Sequence, residues 1–333
     1  MNDIVDYNQN LKTAVLFLVF NRPDTTKQVF NAIRQARPPR LYVAADGPRR
    51  SREGEMEKVQ QVRQIATAVD WPCEVKILFQ TENLGCKSAV VEGIDWFFNH
   101  EEQGIILEDD CLPHSDFFMF CENLLNRYSA DEKIWVITGD NFQNGRRRGE
   151  ASYYFSRFNH AWGWASWRRA WSKRDMEMKF WPQWKQSHDW KDWVSDDLER
   201  KFWEENFDRV FRNEIDTWDF QWTASVWFHR GVTVIPNVNL IKNIGFGVDA
   251  THTLVSKSPS NSNFMAIKAL GPIIHANSVL LDAEADRYVF NRHFEGFKSR
   301  FPYTLYYLPR RLFVQFLRKL KRVFSTVAPA RLE

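Results

Sequence analysis

Three consecutive acids, Glu108-Asp109-Asp110, follow the apolar run 104–107 (GIIL). Like charges at the end of a buried strand repel one another and add nothing to a packed core. Carboxylates converging on one edge suit a hard cation such as Mn2+ or Mg2+. A cation held by one or two carboxylates keeps positions open for phosphate oxygens. Side chains alternate along a strand, so Glu108 and Asp110 are expected on one face and Asp109 on the other. A plainer alternative is a solvated turn whose acids cap a helix near Ser115. A second candidate is Asp219, between Trp218 and Phe220. Partial withdrawal from water would raise its pKa toward the range of a general base. Aspartate is equally a favoured N-cap, here for a helix over 220–228. Asp216 and the Asp196-Asp197 pair are substitutes for the base.

The elements that must position these acids are legible in the first half. The apolar run 14–20 ends in Asn21-Arg22-Pro23, the mark of a buried strand entering a loop. Thr25 or Thr26 is expected to cap a helix carrying Val29, Phe30 and Ile33. Strands are expected at 41–45, 74–79, 104–107 and 134–138, and helices around Met56–Val69, 88–98 and 117–128. Strands apolar on both faces, alternating with amphipathic helices, predict a mostly parallel, Rossmann-like α/β sheet covered on both sides. Such sheets bind ligands at the carboxyl ends of their strands, where Asn21, Asp46 and the three acids all fall.

Asn83-Leu84-Gly85-Cys86, then Gly104-Ile105-Ile106-Leu107-Glu108-Asp109-Asp110-Cys111-Leu112-Pro113 and Phe117-Phe118, resemble the GT-A nucleotide-diphospho-sugar transferases. The branch they look most like is the N-acetylglucosaminyltransferase I type, whose variant of the DxD motif is Glu-Asp-Asp. The likeness covers roughly residues 12–145. It continues more loosely through Trp-Gly-Trp-Ala at 162–165, Trp218–Trp222 and Asn243–Gly247. The resemblance implies that Asp110 is the direct metal ligand, with Asp109 near the ribose and Glu108 near the donor sugar or a water beside it. It also implies that Asn21 and Arg22 line the nucleotide pocket, that Asp46 contacts the base, and that Lys87 meets the diphosphate or base edge. By the same resemblance His252 completes the metal or diphosphate site, Asp219 is the base of an inverting transfer, and UDP is the preferred nucleotide. Each has a plainer alternative: a turn residue for Asn21 and Asp46, a surface charge for Lys87, a structural histidine for His252.

The rest of the chain sets boundaries. With 333 residues, 44% hydrophobic and 26% charged, it is a globular protein, and a net charge of +3 is too small to imply nucleic-acid binding. Cysteines 73, 86, 111 and 121 show no zinc-like spacing, and residues 1–12 carry no secretory signal, so a reduced cytoplasmic setting is expected. No apolar run reaches membrane-spanning length. Twelve of the fifteen tryptophans lie between Trp162 and Trp227, which marks the second half either as an aromatic core or as a sugar platform. Trp162-Gly163-Trp164 is expected to be a loop bearing such a platform, with Gly163 allowing close approach or hinge motion. The glycines at 245 and 247 are expected in a loop that closes over the donor. From Tyr303 onward, Arg310, Arg311, Arg318, Lys319, Lys321 and Arg322 accompany an apolar stripe (Leu312, Phe313, Phe316, Leu317, Leu320, Phe324). That pattern predicts an amphipathic helix for an anionic membrane surface, peripheral on its inner face, or for packing on protein. The expected organisation is a nucleotide-sugar-binding half at 1–145, an acceptor-binding and catalytic half at 146–300, and the basic tail at 301–333. The expected activity is transfer of a sugar from a nucleotide-sugar to a saccharide or lipid-linked saccharide acceptor, in glycan or surface polysaccharide synthesis. A carbohydrate-binding protein would explain the tryptophans but not the acids. A sugar nucleotidyltransferase would want a Gly-rich phosphate loop after the first strand, and Asn21-Arg22-Pro23-Asp24 supplies none.

Overall fold

The computed structural model describes residues 11–245 and 266–307. Strand β1 (Val15–Val19) leads into α1 (Pro23–Ala36), β2 (Arg40–Ala45) into α2 (Glu55–Ala66), and β3 (Glu74–Phe79) into α3 (Cys86–His100). After β4 (Gln103–Glu108) come the short β5 (Cys111–Pro113) and α4 (Ser115–Arg127). Strands β6 (Ile134–Thr138), β7 (Tyr153–Ser156) and β8 (Trp164–Trp167) precede α5 (Arg168–Trp171), α6 (Trp181–Trp184), α7 (His188–Trp193), α8 (Asp197–Phe211) and α9 (Asp219–Phe228). The described part closes with β9 (Val232–Pro236), β10 (Ile241–Asn243) and α10 (Ala283–Arg292).

Eight strands form one sheet in the order β3-β2-β1-β4-β8-β6-β9-β7. Only β8 and β7 run against the others. The fold class is therefore the expected α/β one, a mostly parallel sheet, and both halves of the chain contribute strands to it. Alternation along β1 divides its side chains between two cores. Val15, Phe17 and Val19 pack with α1, α2 and α4, while Leu16 and Leu18 pack with α3 and the helices of the second half. Helices thus cover both faces, as burial of a two-sided apolar strand requires.

Register levels the strand ends. Val19 pairs with Ala45 and Leu18 with Glu108, so the residues leaving β1, β2 and β4 emerge side by side. Strand β8 enters from the opposite direction, pairing Trp164 with Ile106 and Thr138, which brings the segment before it to the same edge. A two-stranded ribbon, β10 against β5, stitches Asn243 to Cys111 beside the acids.

Two helix starts differ from expectation. Arg22, not a threonine, is the N-cap of α1, because Pro23 fits the first helical position without needing its missing N–H. The Thr25 and Thr26 hydroxyls instead donate back to the Arg22 carbonyl at 3.2 and 2.7 Å. Helix α4 is capped by His114, whose Nδ1 accepts from the Asp116 amide at 3.1 Å, so the acidic triplet is not its cap. Asp196, a substitute candidate for the base, is committed as the cap of α8, accepting from the Leu198 and Glu199 amides, and also pairs with Arg300.

Most of the tryptophans are core. Ten of the twelve between Trp162 and Trp227 are buried, and all but Trp167, which lies in the core on the other face of the sheet, pack ring against ring in one cluster with α8 and α9. Trp171 lies 5.0 Å from Trp222, and Trp181 5.2 Å from Trp190. Some buried indole N–H groups find carboxylate acceptors, Asp95 for Trp171 and Asp208 for Trp181, whereas those of Trp164, Trp184 and Trp203 have none among the described residues. All four cysteines are free. No helix among the described residues is long and apolar enough to cross a membrane. The expected basic helix after residue 307, like His252 and Gly247, lies outside the described residues.

Candidate active site at the carboxyl edge of the sheet

A cleft of about 530 Å³ opens where β1, β2 and β4 end, lined also by Trp162 and the start of α9. Asn21, Arg22, Asp46, Glu108, Asp109, Asp110, Trp162 and Asp219 all line it, as do Arg49, Asn83, Cys86, Asp216 and Asn243. Residues from seven separate stretches of sequence therefore share one space. Lys87 and Trp164, expected here, are not among its lining residues.

The acids do not alternate as a strand would have them. Strand β4 ends at Glu108, and the chain turns at Asp109 and Asp110, so both carboxylates swing toward Arg22. The Arg22 guanidinium donates through Nη2 to Asp109 Oδ1 and through Nη1 to Asp110 Oδ2, the latter at 2.9 Å. Asp109 also accepts from the Phe20 amide at 3.3 Å and is buried, whereas Asp110 keeps part of its carboxylate open to the cleft. Burial disfavours the Arg22 charge, but Asp109 and Asp110 more than offset it and raise its pKa. Glu108 has no such cation of its own. Withdrawal from water, then Asp110 and Asp109, push its carboxyl up to about 8, and Asp109 itself is pushed up to about 6 by burial against the pull of Arg22.

Gly245 completes this corner. Its amide donates to Asn243 Oδ1 at 2.9 Å, and the preceding Ile244 amide donates to the Asp110 carbonyl at 2.8 Å. A Cβ at position 245 would stand 2.2 Å from Asp110 Oδ2 and 2.6 Å from Arg22 Nη1. The glycine is thus required by close approach of backbone to the Arg22–Asp110 pair. It does not read as a bare hinge.

Around the β2 end the carboxylates are partly committed. Asp46 accepts from the Gly47 and Leu84 amides at 2.7 and 2.8 Å and from Asn83 Nδ2 at 2.7 Å. It therefore fastens the Asp46-Gly47 loop to the Asn83-Leu84-Gly85 turn, with its raised pKa due first to burial. Asn21 donates to Glu55 at 2.9 Å, and Glu55 in turn takes the Arg49 amide and guanidinium. Arg49, 5.3 Å above the Phe20 ring, was not singled out from sequence. Its signal was only a basic residue just past a strand end.

The aromatic wall is Trp162 alone of the expected pair. Its amide donates to Asp140 Oδ2 at 3.1 Å, and its side chain lines the cleft. Trp164 is buried, stacked 6.0 Å from Trp218 and tilted over Trp222, because β8 turns it into the core. Gly163 has φ of +62°, and a Cβ there would meet Ile241 at 2.4 Å, so this too is a packed turn and not a loose hinge. Asp219, also in the lining, opens α9. Its Oδ1 accepts from the Thr217 hydroxyl and from the Phe220 amide at 3.0 Å.

The charge balance says what can enter. Six carboxylates line the cleft (Asp46, Glu108, Asp109, Asp110, Asp216, Asp219) against two guanidiniums, Arg22 and Arg49. An anion would meet an excess of like charge unless a cation entered with it. The donor set fits a hard divalent cation, since it is carboxylate oxygen, and the Cys86 thiol is kept protonated, pushed up to about 12 by burial and the nearby acids. Among the described residues no three His, Cys, Asp or Glu side chains make a closed metal cage, so a cation here would draw further oxygens from what binds beside it.

No protein-family model matches the chain, and no curated protein matches it. Among solved structures it is similar to a mannosyltransferase from Pyrobaculum calidifontis in complex with GDP-Man and Mn2+, with a TM-score of 0.32 and 14% identity over 49% of this chain and 47% of that one. It is similar also to a UDP-glucose pyrophosphorylase complexed with UDP-glucose, with a TM-score of 0.27 and 12% identity over 44% of this chain and 67% of that one. A UTP-bound UGPase from Acinetobacter baumannii gives a TM-score of 0.33 and 8% identity over 70% and 88%. The chain spans about half the length of the mannosyltransferase, and none of the three is named as an N-acetylglucosaminyltransferase.

Proposed function

We propose that this chain is a divalent-metal-dependent glycosyltransferase of GT-A type, which takes a sugar from a nucleotide-diphospho-sugar, UDP-linked by preference, and delivers it to a hydroxyl acceptor with inversion. The observation that carries this reading is the cleft at the ends of β1, β2 and β4, where six carboxylates and two guanidiniums face one space. Asp110, with part of its carboxylate open to the cleft, would hold Mn2+ or Mg2+. When bound, the cation supplies neutralisation of the charge that grows on the departing diphosphate. The loops after β1 and β2, with Asn21 and Asp46, bound the nucleotide end, and Asp109 and Glu108 lie between it and the sugar. Trp162 offers a flat apolar face to a sugar ring. Asp219, at the start of α9, takes the acceptor proton as general base.

Products separate this reading from its rivals. With Mn2+ and a panel of nucleotide-sugars, the purified protein is expected to release nucleoside diphosphate. With sugar-1-phosphate and nucleoside triphosphates it is expected to release no pyrophosphate. Pyrophosphate release would make it a sugar nucleotidyltransferase. Neither product, with glycan binding intact, would make it a lectin.

The acceptor class we favour is a saccharide or lipid-linked saccharide reached at an anionic membrane surface, supported by the acid-free basic run at 310–322. The full chain is expected to co-sediment with phosphatidylglycerol vesicles, and a chain ending at residue 307 is not. Absence of binding by the full chain would remove the membrane from the account.

A further inference from the structure

We propose that Arg22 is a built-in substitute for the metal: it holds Asp109 and Asp110 until a divalent cation takes Asp110, and the freed guanidinium then receives the diphosphate. This rests on the donor site proposed above. The guanidinium forks across the two acids, one arm to each. Two carboxylates this close repel one another unless one takes a proton or a positive charge stands between them, and here Arg22 supplies the charge. Its side chain is 23% exposed, so it faces the cleft and is not sealed behind it.

Its anchorage suits a moving part. The backbone of Arg22 is fixed as the cap of α1, with two threonine hydroxyls on its carbonyl, while the long side chain above it carries several rotatable bonds and is held only at its guanidinium end, by the two acids. The notch it occupies is shaped by Gly245, whose backbone leaves no room for an added Cβ beside Asp110 Oδ2 and Arg22 Nη1. A cation and a guanidinium repel each other at that range, so one excludes the other from Asp110. The second cleft guanidinium, Arg49, is held by Glu55 instead. Arg22 is thus the cleft cation whose present partners are the acids assigned to the metal.

Coupling follows from this exchange. Metal alone must expel an internal cation, and a diphosphate alone must approach the acids and compete for the same arginine. Together each removes the other's obstacle, so the two ligands bind with positive linkage. Arg22 acts here as a positioning residue.

The test has arms of opposite sign. Free Mn2+ is titrated with the full-length protein and followed by its paramagnetic resonance, without nucleotide. Arg22→Gln is expected to bind Mn2+ more tightly than the wild type, by on the order of tenfold, within the usual range of site coupling. In calorimetry with Mn2+ present, the same variant is expected to bind nucleoside diphosphate more weakly by a similar factor. A purely structural role would weaken both together. Equal or weaker Mn2+ binding by Arg22→Gln, or none by either protein, overturns the inference. Should Arg22→Gln fail to fold, Arg22→Lys keeps the charge without the fork and is expected to shift Mn2+ affinity in the same direction by less. Because the metal-only arm needs no nucleotide, it decides this exchange even if the wild type binds none, a result that would instead remove the proposed donor site.

Discussion

Asp219→Asn is expected to bind donor with the affinity of the wild type and to transfer sugar roughly 100- to 10,000-fold more slowly, the usual contribution of a general base. The substitution is nearly isosteric. The amide oxygen still accepts from the Thr217 hydroxyl and the Phe220 amide, so the start of α9 keeps its local bonds. What disappears is the ability to take a proton. Asp216 lines the same cleft and is the natural comparison, since it is exposed and lies three residues earlier. Asp216→Asn is expected to slow transfer far less. Single-turnover rates, measured beside the donor Kd, read the two effects separately. A wild-type rate in Asp219→Asn would move the base elsewhere. Parallel loss of donor affinity and thermal stability would instead make Asp219 a structural part of the α9 start.

Much of this site was visible in the sequence because its parts sit at strand ends, which periodicity locates well. The runs around residues 15–19, 41–45, 104–107 and 134–138 are continuous and apolar, the edge run 74–79 (EVKILF) is interrupted by Glu74 and Lys76, and strands lie at all five. Leaving them, Asn21, Asp46 and the acids had to meet at one edge once the sheet was parallel. The facing of the acids was not legible. Strand alternation holds only while the strand lasts, and the turn after Glu108 is set by the ribbon of β5 and β10, whose strands come from distant stretches of sequence. The reversed β8 was hidden for the same reason: Trp164-Ala165-Ser166-Trp167 is short, aromatic and without alternation of polarity. The tryptophans were ambiguous in principle. A ring that packs on other rings and a ring that packs on a sugar have the same flat apolar surface, and only tertiary partners distinguish Trp164 from Trp162. The Arg22 pairing escaped because an arginine after a first strand suits a phosphate as well as it suits a carboxylate.

The second large effect concerns Asp110, and it bears on the central claim that the cleft takes a nucleoside diphosphate only together with a cation at that residue. Asp110 keeps part of its carboxylate open to the cleft, whereas Asp109 is buried. Removing its carboxylate should cost no less than the roughly 10- to 100-fold that loss of an outer partner of a metal ligand costs. The direct measurement is calorimetric titration of UDP, GDP, CDP and dTDP, with and without Mn2+, into the wild type and Asp110→Ala. One nucleotide, UDP by preference, is expected to bind the wild type when Mn2+ is present, and binding is expected to fall by at least that factor without the metal or in Asp110→Ala. Nucleotide binding of equal strength without metal, or unchanged in Asp110→Ala, would contradict that claim.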